Sequence, residues 1–221
     1  EIKSKMAPKI AAHFSKIYQN SNLFNRIDDI WKSKPNIKLS RQEERVVTLL
    51  RRDFVRSGVS LQKEKKVRFQ KIQEKLALLG TQFSQNILKD EKSWFLSLSQ
   101  EDVSDLPNFL ILDMKKIALE RNEEGYCLSL NESLIVPFLK FSSSRVLRKK
   151  VLEAWKARGL MNDNSNNKKI MKQTIQLRTE LSNILGFETY SEYRLETEMA
   201  KKPEIVKSLL LSIWEATSKK V

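Results

Sequence analysis

The chain has 221 residues, 41 basic against 27 acidic, a formal charge of +14, one His and one Cys. That length suits one large domain or two small ones, and it buries roughly 70% of its unfolded surface without a covalent staple. The lone Cys127 excludes an intrachain disulfide, the lone His13 excludes any metal motif that needs two imidazoles, and the longest apolar runs, at 109–112 and 209–211, are far too short to cross a bilayer.

The basic balance raises nucleic acid or an anionic surface as a partner, so a basic helical nucleic-acid-binding module is the alternative reading of the chain. The basic residues are spread over nearly every helical segment, and no Arg-rich block alternates with exposed aromatics. A solvated basic face accounts for them, and neither nucleic acid nor a membrane is the expected partner. Five Gly, five Pro and no repeat point to long segments and few turns, hence a mainly α protein.

In chain order, 5–20 carries Ile10, Phe14, Ile17 and Tyr18 at helical spacing. Asn20-Ser21-Asn22 breaks it and caps a second helix through Phe24, Ile27, Ile30 and Trp31. A linker with Pro35 follows. Ser40 with Glu43 three residues on is a capping box, and its helix runs through Val46, Val47, Leu50 and Phe54 to Gly58. The central element is 64–89, whose Phe69, Ile72, Leu76, Leu79, Phe83 and Ile87 fall on one face. These two helices are expected to form an antiparallel hairpin. Asn86 sits on the edge of the stripe and calls for a backbone partner.

At 94–98 the period changes to alternation, and again at 126–130, which predicts two short strands that pair with each other. Between them Pro107-Asn108 opens a helix with Leu110, Ile111, Met114, Ile117 and Ala118 inward. The 136–139 stretch is apolar. Ser142 to Ser144 caps a helix with Val146, Leu147, Val151, Leu152 and Trp155, closing at Gly159. After a polar loop at 162–167, a helix over 170–185 is expected to bury Ile175, Leu181, Ile184 and Leu185. Thr189 with Glu192 is a second capping box. Pro203 starts a last helix with Ile205, Val206, Leu209, Leu210, Ile213 and Trp214. The chain begins at Glu1 without a Met and stops at Val221 without a C-cap, so it is expected to be cut at both ends.

A search for chemistry returns little. His13 lies between apolar neighbours on an early helix, and a Cys127–His13 dyad has no local signature. The glycines at 58, 80, 125, 159 and 186 are isolated punctuation rather than a phosphate loop. Glu43-Glu44 and Asp28-Asp29 lie where helix starts and solvated faces explain them. No catalytic, cofactor-binding or metal residue is assigned.

Several blocks together carry a resemblance. Leu39-Ser40 with Glu43/Glu44, Leu50-Arg51-Arg52-Asp53-Phe54-Val55-Arg56-Ser57-Gly58 and Gln82-Phe83-Ser84-Gln85-Asn86 come first. Asp102-Val103-Ser104-Asp105-Leu106-Pro107 follows, with Asp105 where Gly is usual. Gly125 to Leu130 with Pro137-Phe138-Leu139 is next, then Ala154-Trp155 with Arg158-Gly159, Leu185-Gly186-Phe187 and Met199-Ala200-Lys201 with Pro203. In this order they resemble the N-terminal region of the thimet-oligopeptidase-like zinc metallopeptidases, with the closest forms in the peptidyl-dipeptidase Dcp (dipeptidyl carboxypeptidase) branch.

The resemblance implies a mainly α, multi-helix N-terminal lobe with a small antiparallel strand pair. Residues 1–90 would be a helical hairpin region, and 91–221 short strands plus helices of the same lobe, cut before the catalytic domain. It implies a hydrolase of short peptides that releases C-terminal dipeptides, and with no export signal visible in the sequence the cytoplasm is the expected location. Zinc would belong to the full-length enzyme and none to this fragment, which would be inactive alone. Its partners would be short peptides and the missing C-terminal catalytic lobe.

Overall fold

The computed structural model describes residues 6, 10, 13, 14, 16–161 and 166–220. The chain forms two compact units, Glu1–Glu74 with Gln176–Val221, and Lys75–Ile175. Among the described residues the fold is mainly helical, with one two-stranded antiparallel sheet.

In the first unit, Asn20 caps the Ser21–Ser33 helix, its Oδ1 accepting from the Leu23 N–H at 3.1 Å. The linker with Pro35 makes a 3₁₀ turn, Lys34–Asn36. The Arg41–Arg56 helix starts on the expected capping box: the Glu43 N–H donates to Ser40 Oγ at 3.3 Å and the Ser40 N–H to Glu43 Oε2 at 2.8 Å. Ser40→Ala removes the acceptor and should cost about 1 kcal/mol, read as a lower denaturant midpoint at unchanged slope.

The expected hairpin is corrected. The Arg41–Arg56 helix lies mainly against Ser21–Ser33 rather than against the long helix. The aromatic residues decide this: Phe54 is buried against Tyr18 and Phe24, with ring centroids at 5.1 and 6.1 Å. Arg51 locks the same pair from outside, stacked on Trp31 at 4.1 Å and donating to Asp28 at 2.6 Å. The long helix is reached through the turn instead. Gly58 takes a φ of +78°, and a Cβ there would meet Phe69 at 3.2 Å. The second capping box, Thr189 with Glu192, starts the Tyr190–Leu195 helix, and Pro203 opens Pro203–Ser218.

The long helix spans Lys63–Ser93. Within the first unit its Phe69 and Ile72 are buried; within the second, Leu79 is buried and Leu76, Phe83 and Ile87 are half-buried. Asn86 finds a side chain rather than a backbone group: its Nδ2 donates to Asn167 Oδ1 at 2.8 Å, and Asn167 Nδ2 donates to the Phe83 carbonyl at 3.2 Å.

The second unit is built on the strand pair. Phe95–Leu98 and Tyr126–Ser129 run antiparallel, with Leu96 opposite Leu128 and Ser97 opposite Cys127. The Asn108–Glu120 helix covers the second strand with Leu110, Met114 and Ala118 buried. The 136–139 stretch proves to be helical, inside Glu132–Phe141, despite Pro137. Asn131 caps it, and burial of Leu134, Ile135 and Phe138 outweighs the backbone hydrogen bond that proline removes. The Arg145–Lys156 helix adds Val151 to the same core, while Val146 faces solvent.

One helical expectation shifts. Asn167–Ile184 is helical, but Ile175 is 65% exposed while Leu181 is buried. Six residues turn a helix by roughly 600°, so 175 and 181 do not share a face. The loop at 162–165 lies outside the described residues.

Candidate functional site

His13 is exposed and edge-on to Phe14 at 6.0 Å. Cys127 is fully buried in the strand pair, and burial pushes its thiol up, away from the reactive thiolate. Glu43 belongs to its capping box, Glu44 pairs with Lys34 at 2.6 Å, and Asp28 pairs with Lys32 and Arg51, both at 2.6 Å. Zinc of the His-Glu-x-x-His type needs two imidazoles, and the sequence has one. Among the described residues no three His, Cys, Asp or Glu side chains converge into a metal cradle. The donor set among the described residues does not fit a zinc site of that type.

Several carboxylates are held charged. Asp28 is lowered by its hydrogen bond from Lys32 and then by Arg51, Glu180 by Arg68, and Asp105 by the Ser143 hydroxyl and backbone N–H. Asp105 is the residue that departs from the resemblance. Its Oδ2 accepts from the Ser143 N–H at 2.6 Å, one residue before the cap of the Arg145–Lys156 helix. A carboxylate lowered in the folded state contributes stability above its unfolded value near 4, and that stability is lost as pH falls through the folded value. Urea midpoints should therefore drop below about pH 4, and Asp105→Asn should flatten that acid limb.

One surface stands out. In Pro203–Ser218, Leu209, Leu210 and Leu211 are 60%, 60% and 51% exposed, Ile213 54% and Trp214 70%. Consecutive helix residues are about 100° apart, so this helix shows apolar side chains to water on several sides at once. A helix apolar all round is normally enclosed, and an exposed apolar patch of this kind marks an interaction surface. The sequence pattern names these residues, and the rest of the described first unit leaves them open. Among the described residues no helix is long and apolar enough to cross a membrane.

Comparison with known proteins gives this surface a setting. Residues 138–221 match the family model described as "Peptidase family M3". Oligopeptidase A of Salmonella typhimurium is 28% identical over 211 residues, 93% of this chain and 31% of that protein. Over these stretches the chain is similar to M3 peptidases. Dipeptidyl carboxypeptidase of Escherichia coli is 25% identical over 213 residues, 95% of this chain and 31% of that protein. From Arabidopsis thaliana, "Probable cytosolic oligopeptidase A" is 26% identical over 208 residues, 89% of this chain and 30% of that protein.

The chain thus spans about 31% of the length of the first curated relatives it matches. The M3 model covers only from Phe138 onward, so the likeness of the earlier blocks, from Leu39 to Leu130, is carried by the pairwise relatives. Both oligopeptidase A and dipeptidyl carboxypeptidase are represented among these relatives, at 28% and 25% identity.

Proposed function

We propose that this chain is the N-terminal, non-catalytic lobe of a zinc metallo-oligopeptidase that hydrolyses short peptides and releases C-terminal dipeptides. The observation that carries the reading is a ratio. Similarity to M3 peptidases runs through 93% of this chain yet uses 31% of the relative's length. The donor chemistry agrees, since one His and a buried Cys leave the metal to be held elsewhere in the protein. In the full-length enzyme zinc would activate the attacking water and a Glu would serve as general base, both supplied outside this stretch.

On this reading the apolar Pro203–Ser218 helix is where the catalytic lobe packs. Cytoplasmic location is part of the same proposal, supported by the cytosolic name of the Arabidopsis relative. The test is a peptide assay. This chain, supplied with zinc and a short peptide with a free C-terminus, should show no hydrolysis. The full-length protein should release the terminal dipeptide and lose that activity on chelation. Hydrolysis by this chain after chelation would overturn the reading, and release of internal fragments by the full-length protein would overturn its dipeptide part.

A further inference from the structure

A cavity of ≈320 Å³ in the first unit is lined by Val55, Leu185 and Phe187 together with Arg51, Arg52 and Arg56. Such a volume is at the small end for ligand pockets, enough for one side-chain-sized group. The three arginines come from one and a half turns of the Arg41–Arg56 helix, and each is already fixed by a partner. Arg51 Nε donates to Asp28 Oδ1 at 2.6 Å, and its plane stacks on Trp31 at 4.1 Å. Arg52 Nε and Nη2 both donate to Asp53 Oδ1 at 3.1 Å. Arg56 Nη1 donates to the Tyr193 carbonyl at 2.9 Å and to Glu196 Oε2 at 2.5 Å, with its plane 4.0 Å from the Tyr193 ring.

These contacts use some donors and leave others. A guanidinium carries five N–H donors in a rigid fork. Among the described residues, both Nη groups of Arg51, Nη1 of Arg52 and Nη2 of Arg56 have no partner. Asp28 and Asp53 hold their arginines without lining the cavity, and Glu196 is the one carboxylate that does. Fixed guanidinium forks beside an apolar wall match one ligand chemistry, a planar oxyanion on a small apolar body.

We propose that this pocket binds a small apolar molecule carrying a carboxylate. The site lies wholly within this chain and needs neither zinc nor a catalytic lobe, so its failure would leave the peptidase reading untouched, and the reverse holds too.

Trp31 lines the pocket and reports on it. The chain has four Trp, so a ¹H–¹⁵N spectrum should carry four indole signals, that of Trp31 assigned with Trp31→Phe. N-acetylphenylalanine should shift the Trp31 signal saturably, and N-acetylphenylalanine amide should not. Arg52→Met should weaken binding about tenfold or more, the usual size of a lost charged hydrogen bond, with the melting temperature unchanged. Arg52 suits the test because its ion pair is a partly exposed one with the adjacent Asp53. Should Arg52→Met unfold, Arg51→Lys, which loses the planar fork but keeps the charge, should show the same weakening. No Trp31 shift, an equal shift from the amide, an equal shift from inorganic phosphate, or unchanged binding by a folded arginine variant would each overturn the proposal.

Discussion

On the proposed peptidase reading, Leu210→Glu with Trp214→Glu should leave the melting of this chain nearly unchanged and abolish peptide hydrolysis when carried by the full-length protein. Both side chains are mostly exposed here, 60% and 70%, so charging them buries nothing within the described structure. Surface substitutions of this kind usually change stability by less than about 0.5 kcal/mol. In the full-length protein the same two positions would sit in a desolvated interface, and an unpaired buried carboxylate is strongly unfavourable. Two measurements therefore separate the effects, a denaturant midpoint on this chain and a rate on the whole protein. Full activity in the double variant would remove the packing role assigned to this helix. A large loss of midpoint in the chain alone would show that the helix is already covered.

Asp90→Ala should be among the most destabilising single changes in the second unit. Asp90 is 2% exposed, and its Oδ2 accepts from the Gly159 N–H at 2.7 Å and the Met161 N–H at 3.2 Å. Removing the acceptor strands one buried N–H group, at about 1–3 kcal/mol, and a half-buried one that costs less. Asp90→Asn keeps an oxygen that can accept from both and should cost clearly less. Gly159→Ala attacks the same knot from the other side. The residue has a φ of +76°, and its new Cβ would stand 2.4 Å from Asn167 Nδ2. Asn167 would have to leave both Asn86 and the Phe83 carbonyl. The strained backbone adds about 1–2 kcal/mol to that loss. Chemical denaturation of the three variants checks the order; equal midpoints for Asp90→Ala and Asp90→Asn would contradict it.

The candidate site was legible only in outline. The apolar residues of the last helix, the single His and Cys, and the family blocks were all readable as letters. The Arg51, Arg52 and Arg56 cluster lies inside one of those blocks, yet nothing local says that Leu185 and Phe187, more than a hundred residues later, would stand beside it. Asp90 gave no signal at all, since an acidic residue near a helix end reads as solvated surface. Its importance comes from two N–H groups some seventy residues downstream.

What the sequence determined by itself is what depends on near neighbours. The capping boxes at Ser40 and Thr189, the register-bearing alternation at 94–98 and 126–130, and the 64–89 stripe are each fixed by contacts within a turn or along a strand, so spacing suffices to read them. Tertiary structure decided the rest. It gave Arg41–Arg56 to the preceding helix through Phe24 and Phe54, held Pro137 inside a helix by burying Ile135 and Phe138, and turned Ile175 out to water. It also folded the first unit from both ends of the chain. Those outcomes follow from which apolar surfaces find each other across long sequence separations, and spacing along the chain does not encode that distance.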